Sequence, residues 1–252
     1  MKLVVSEKFK SSTAEISSFI ENFPQGQLFG KGTRNQIRIF SLQEKDINIK
    51  SFKVPNAVNK IVYRFLRKSK AERSFEYAHR LLLKGIGTPY PIAYAEEKSG
   101  IIFRRSYYIS EHMTCDLTFR ELVHQPDFPD HEKILRAFTR FSFMLHEKEV
   151  EFLDHSPGNT LIKKKGEGYL FSLVDLNRMN FRSLDFDTRM KNLSRLTPKK
   201  EMIVIIANEY AKLFKKPEAE VFEKLWFYTT DFQARFQRKK ILKKKLKFWK
   251  KN

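Results

Sequence analysis

One cysteine, Cys115, stands among 252 residues, which excludes an intrachain disulfide framework and suits a reducing compartment. Long apolar runs are also missing. The most compact, Met202-Ile203-Val204-Ile205-Ile206, is far too short to span a bilayer. Residues Met1 to Lys8 soon turn polar and lack the apolar stretch of a secretion signal, so a cytoplasmic protein is expected. No Cys/His nucleophile pair and no Gly-x-Ser-x-Gly elbow is present, which disfavours those hydrolase chemistries, and the histidines lack metal-ligand spacing. Internal repeats and Ser/Gly linkers are absent. Acidic residues are outnumbered, 29 against 49 basic ones, and the net charge of +20 predicts anionic partners: nucleic acid, a phosphorylated substrate or an anionic membrane face. No aromatic stacking motif accompanies the basic residues, so specific nucleic-acid binding is not expected.

What is present begins with a core. Hydrophobic content of 41 % with 24 Phe argues against disorder, and the length allows one large domain or two compact lobes around a cleft. The N-terminal part reads as strands. Gly30-Lys31-Gly32 reads as a turn, Ile37, Ile39 and Leu42 are expected to follow in a strand, and Ile47 to Phe52 alternate again. From Ser69 to Leu83 the apolar positions repeat at helical spacing, until Gly85, Gly87, Pro89 and Pro91 redirect the chain. Strands are expected around Ile92–Ala95 and Ile101–Ser110. His131 to Lys148 carries Ile134, Leu135, Phe138, Phe141 and Leu145, the pattern of a core helix. Leu161-Ile162 and Tyr169–Val174 flank a Lys/Gly turn and read as a β-hairpin; helices are expected from about Lys199 to the end.

The stretch Phe152-Leu153-Asp154-His155-Ser156-Pro157-Gly158-Asn159 carries the chemistry. An Asp, four residues, an Asn, then the hairpin and Asp175 sixteen residues beyond Asn159 is how kinase-like enzymes arrange a base and two metal ligands. Asp154 at this spacing would accept the hydrogen bond of an attacking hydroxyl; a plain Asx turn is the bland alternative. Asp175 follows Phe171, Leu173 and Val174, where an uncompensated charge is costly and a divalent cation is a natural partner; a salt bridge to Arg178 competes. Lys50 sits on a strand with Ile47 and Ile49 on the opposite face. It could reach ATP phosphates, oriented by a helix carboxylate, for which Glu76 is preferred over Glu72; Lys53 competes with Lys50. The glycines Gly30 and Gly32 would let backbone amides approach phosphate oxygens. His146 could pin the loop holding Asp154, and His155 could touch substrate; both have ordinary structural alternatives.

The order Gly turn, Lys50 strand, Glu76 helix, Gly87-Thr88-Pro89-Tyr90-Pro91, Asp154 to Asn159, Asp175 resembles the lipopolysaccharide kinases of the Kdo/WaaP family, over roughly residues 25–215. The resemblance implies an α+β, two-lobed protein-kinase-like fold, with a small antiparallel N-lobe sheet, one main helix and a mostly helical C-lobe. It also implies ATP-dependent, Mg²⁺-dependent phosphorylation of a sugar hydroxyl in the lipid A–core region, at the inner face of the cytoplasmic membrane. By motif position, Lys50 would contact the phosphates, Glu76 would hold Lys50, and Glu111 would fall in the hinge near adenine. Asp154 would be the catalytic aspartate, with Asn159 and Asp175 on the metal. Phe152 departs from the His of protein kinases, Asp175-Leu176-Asn177 replaces Asp-Phe-Gly, and Asn35 stands where a third loop glycine is usual.

The expected boundaries are an N-lobe over 1–113, a C-lobe over 114–237 and a basic tail over 238–252. The tail holds nine basic residues and no acidic one. It places Leu242, Leu246 and Trp249 on one stripe with Ile241 and Phe248 beside it, which suits an anionic membrane surface; packing on the C-lobe is the alternative. Two other functions fit the same residues: a kinase for a protein or soluble small molecule, and an inert kinase-like binding module.

Overall fold

The computed structural model describes residues 1–30, 35–52, 68–99 and 102–249. It divides into two units, Met1–Thr114 with Ser172–Arg178, and Cys115–Phe171 with Met179–Asn252.

The first unit is built on a six-stranded sheet. Its strands are β1 (Lys2–Val5), β2 (Gln27–Phe29), β3 (Gln36–Leu42), β4 (Lys45–Phe52), β5 (Pro91–Ser99) and β6 (Ile102–Glu111), in the order β1-β5-β6-β4-β3-β2. Every neighbouring pair is antiparallel. Side chains alternate between the two faces, so the strands bury one set and half-expose the other. Ile47, Ile49, Ala93, Ala95, Tyr107 and Ile109 form a core with Phe9, Ile16, Ile20 and Phe23 from the N-terminal segment. Of these, Ile16 and Ile20 lie on helix α1 (Thr13–Glu21). Ile16, Phe19, Ile20 and Phe23 recur at i, i+3, i+4 and i+7, a helical period to which no role was assigned from sequence. The tertiary role of this segment is to cover one face of the sheet.

The opposite face carries helix α2 (Lys70–Leu83), packed on β5 and β6. Ser69 caps its N-terminus by accepting a hydrogen bond from the Glu72 amide. At the other end Gly85 adopts a left-handed φ of 66°, and the Ile86 amide returns to the Leu81 carbonyl at 2.9 Å. That satisfies a helix-end carbonyl in the manner of a Schellman cap. Phe52, Ala71, Phe75 and Tyr94 bury the contact.

The second unit is mainly helical: α3 (Phe119–His124), α4 (His131–Glu147), α5 (Phe186–Leu193), α6 (Lys200–Phe214) and α7 (Glu218–Trp249). Helix α4 packs on α6, and α7 packs on both α5 and α6. Ile134, Leu135, Phe138 and Leu145 of α4 are buried, as are Ile203, Ile206 and Tyr210 of α6. Short strands β8 (Val150–Phe152) and β11 (Met179–Phe181) pair antiparallel, while β7 (Leu117–Thr118), β9 (Thr160–Lys165) and β10 (Gly168–Leu173) form a second small sheet.

Three features refine the expected layout. Residues Ser172–Arg178 cluster with the first unit rather than with the helical one, because Leu173 donates its amide to Gly87 O and accepts the Thr88 hydroxyl at 2.8 Å. The chain after Lys199 is two helices, since Lys215 takes a left-handed φ of 54° and Pro217 follows. The tail from Arg238 is not a separate element but the continuation of α7.

Because Ile16 is fully buried against the sheet, Ile16→Ala is expected to lower the unfolding free energy by about 2–5 kcal/mol. Urea denaturation monitored by circular dichroism measures this; a loss below about 1 kcal/mol would mean that α1 is not part of the core.

Candidate functional site

Within the first unit, Lys50 and Asp175 are brought together. Lys50 Nζ lies 2.6 Å from Asp175 Oδ1, and Asn177 Nδ2 donates to the same oxygen at 2.7 Å. Asp175 holds a left-handed φ of 60°, a conformation short polar side chains tolerate better than most. Both donors use Oδ1, and Oδ2 has no donor among the described residues. Lys50 is therefore paired with Asp175 and not with Glu76. Glu76 takes Lys68 instead, while Glu72 lies 3.4 Å from the Tyr94 hydroxyl and 4.0 Å from Lys2 Nζ. The reason is reach: an ammonium joins the carboxylate nearest to it, and helical spacing alone does not fix which one that is.

Cross-strand register sets the surroundings of Lys50. Phe29, Ile37 and Lys50 stand in one row across β2, β3 and β4, with Ile39 and Asn48 on the same face one pleat along. Ile37, Ile39, Asn48 and Lys50 are half-buried. His112 Nδ1 meets Asn48 Oδ1 at 3.0 Å, and the Phe29 ring stands edge-on to His112 with centroids 5.5 Å apart. Phe29 and His112 were missed from sequence because only strand register brings them together. Glu111 ends β6, with its amide donated to Tyr90 O at 3.0 Å and its carboxylate 3.5 Å from Lys8 Nζ. Gly30 follows β2 with a left-handed φ of 75°, and a Cβ there would meet nothing within 4 Å. Gly32 and Lys53 lie outside the described residues.

In the second unit, Asp154 and Asn159 are brought together. Asn159 Nδ2 donates to the Asp154 main-chain carbonyl at 2.8 Å. The amide nitrogen is thus engaged, and Oδ1 has no donor among the described residues. Two further carbonyls of this loop are tied from α5 and just beyond it: Phe152 O accepts from Asn192 Nδ2 at 2.8 Å, and Leu153 O from Arg195 Nη1 at 2.9 Å. Arg195 also lies 3.5 Å from Asp154 Oδ1. On the far side, Gly158 leaves room for Arg120, whose Nη2 would stand 2.5 Å from a Cβ at that position.

Asn159 in one unit and Asp175 in the other each offer an oxygen donor of the kind Mg²⁺ takes, and that ion is typically held by one or two protein ligands together with substrate phosphates and water. Among the described residues, no group of three or more His, Cys, Asp or Glu side chains is placed to hold a metal, so an all-protein cage of those ligands is not what this arrangement resembles.

The histidines are structural. His155 is fully buried, its ring between those of Phe138 and Phe152 at 5.4 and 5.7 Å, so it does not meet substrate. His146 is buried too. It joins the Tyr210 hydroxyl at 2.8 Å to Asn192 Oδ1 at 3.2 Å, and so braces the residue that holds Phe152 O. Burial pushes His146 down to about 3 and His155 down to about 4, with Asn192 partly opposing in both cases.

Both folded values lie below the ordinary 6.5, so the unfolded chain takes up these protons first. The stability held by the two neutral imidazoles is complete above that value and falls as pH drops toward about 4. The slope is about 1.4 kcal/mol per pH unit for each histidine. Urea unfolding at stepped pH checks this against His155→Phe, whose dependence is expected to be shallower by one proton.

No individual curated protein matches this chain. A solved structure described as "WaaP in complex with acyl carrier protein" shares its fold with a TM-score of 0.63 at 16% sequence identity, covering 94% of this chain and 99% of that one. The profile of the lipopolysaccharide kinase (Kdo/WaaP) family matches residues 24–216. Most of the chain is thereby covered, including strands β2 to β6 of the sheet, the Asp154 loop and Asp175, and the chain belongs to the lipopolysaccharide kinase (Kdo/WaaP) family.

Proposed function

We propose that this protein is an ATP-dependent kinase that phosphorylates a sugar hydroxyl, of Kdo or heptose type, in the lipopolysaccharide inner core. The observation that carries the reading is the Asp154 loop. Its carboxylate stands partly exposed while the backbone beneath it is tied at three successive carbonyls. Phosphoryl transfer asks little covalent chemistry of a protein; it asks that an acceptor hydroxyl and a charged nucleotide be held in line.

Mg²⁺-ATP supplies the transferable group and the neutralisation of its charge. Lys50 offers an ammonium to phosphate oxygens, and its pairing with Asp175 keeps it extended along that face of the sheet. With its amide fixed to Asp154 O, Asn159 would have its side-chain oxygen to offer Mg²⁺, and Asp175 would offer Oδ2 in the same role. Asp154 accepts the hydrogen bond, and then the proton, of the attacking hydroxyl.

Charge supports the acceptor class. A lipid A-linked sugar carries phosphates and carboxylates, and the net charge of +20 complements it. The final helix adds a place of action. Every residue from Ala234 to Lys244 is exposed although helical, among them Phe236, Ile241 and Leu242. A cationic helix carrying apolar side chains suits the inner face of the cytoplasmic membrane, where each engaged Lys or Arg contributes about 1 kcal/mol. Among the described residues no helix is long and apolar enough to cross a membrane, so the attachment proposed is peripheral.

Asp154→Ala is expected to lower kcat at least about a hundredfold on lipid A bearing its core sugars, while Mg²⁺-ATP still raises the thermal midpoint. Normal turnover by the folded variant would remove Asp154 from the chemistry, and the lack of any midpoint shift in the wild type at millimolar nucleotide would favour an inert binding module. Ending the chain after Gln237 is expected to weaken action on acceptor embedded in anionic vesicles and to spare a detergent-solubilised acceptor. Equal activity of the truncated and full chains on vesicles would remove the membrane role of the tail.

A further inference from the structure

The loop before Asp154 is held by three side chains, and one of them does more than hold backbone. Asn192, Arg195 and Asn159 donate to the carbonyls of Phe152, Leu153 and Asp154 in turn. Of the three, Arg195 also approaches the Asp154 carboxylate, with Nη1 3.5 Å from Oδ1. Arg195 follows α5 by two residues and is itself covered from α7: the Phe232 ring lies over its guanidinium, 5.2 Å from centroid to Cζ. Phe232 is the last partly buried aromatic on that helix before residues 234–244 become exposed on all sides.

We propose that Arg195 is the positioning residue for Asp154 and that Phe232 of α7 holds Arg195 in place. The proposal rests on the phosphotransfer reading of Asp154 given above. A guanidinium is suited to the task because it is planar, always charged and carries donors in a fixed fork. One donor anchors Leu153 O, the carbonyl immediately before Asp154. The same charge lies close enough to bias the carboxylate's orientation, yet at 3.5 Å it falls outside a strong hydrogen bond and leaves the carboxylate oxygens to the acceptor hydroxyl. The guanidinium also lies over the Phe232 ring, so it is held from outside the loop as well. A lysine would keep the charge and lose the planar fork of donors. Arg195 acts through Asp154 and touches no reacting atom.

The test uses the full chain with Mg²⁺-ATP and detergent-solubilised lipid A bearing its core sugars. Arg195→Gln is expected to lower kcat about tenfold or more while the calorimetric Kd for Mg²⁺-ATP stays within about twofold. Arg195→Lys recovers part of the loss. Phe232→Leu lowers kcat in the same direction by a smaller factor, and Phe232→Tyr, which keeps the ring face, restores it. Hydrogen exchange gives a readout that needs no turnover. The amides of His155 and Ser156, whose acceptors are the Phe152 and Asp154 carbonyls, exchange faster in Arg195→Gln, while amides within α4 do not. Wild-type kcat in Arg195→Gln, or unchanged exchange at residues 155 and 156, overturns the proposal. So does a loss of protection spread through the whole helical unit, which would make Arg195 a general structural residue. If the wild-type chain transfers no phosphate at all, the functional reading fails, and the exchange experiment still decides whether Arg195 fixes the loop.

Discussion

The presentation of Asp154 depends on a backbone constraint. Phe152 ends a buried strand and His155 is buried between aromatic rings, so the chain between them runs beside the core, where an unpaired carbonyl is costly. Each of the three carbonyls from 152 to 154 therefore has a side-chain donor. With Phe152 and His155 buried on either side and the backbone tied, the Asp154 carboxylate is left partly exposed on a braced loop. The His146–Asn192 contact extends this bracing to α4, and Tyr210 extends it to α6. A sharply placed carboxylate is what general-base work in a phosphoryl transfer needs.

The other unit handles its charges differently. Lys50 and Asp175 meet at 2.6 Å, and Asn177 shares the same carboxylate oxygen. The segment carrying Asp175 reaches this unit because Leu173 is bonded on both sides to the Gly87-Thr88 turn. Gly87-Thr88-Pro89 is thus a docking point for the strand that delivers an acidic side chain to the Lys50 sheet. Its place in the family pattern acquires a physical reason: Thr88 supplies the hydroxyl, and the glycine carbonyl accepts the strand's amide.

Charge is distributed with the same economy of purpose. Acidic residues in the helical unit are largely occupied at structural positions, such as Glu209 between Arg136 and Arg140, or Glu151 with Arg182 and Asn180. The exposed stretch of α7 keeps its basic side chains in solvent, and within it Arg235 is the one that pairs with an acid, Asp231 one turn earlier. Like charges four residues apart, as at Lys239 and Lys243 or Lys240 and Lys244, oppose an isolated helix. An anionic surface would relieve that repulsion.

Much of this was legible in the sequence. The helix from Ser69 to Leu83, the core helix from His131, and the hairpin after Asn159 follow from period and turn chemistry, which depend on near neighbours in the chain. The Asp154–Asn159 spacing likewise fixed a loop in which the amide reaches back to the aspartate. The sequence by itself therefore determined the family and, from the Gly turn onward, much of the order of elements, and it named the candidate site residues. Tertiary structure alone decided their partners: Asp175 rather than Glu76 for Lys50, a buried rather than substrate-facing His155, and Arg195 and Phe232 behind Asp154. The pairs Lys50–Asp175, Asp154–Arg195 and Arg195–Phe232 lie between 37 and 125 positions apart, and the free energy that joins them comes from burial and charge pairing across distant segments, which no local pattern encodes.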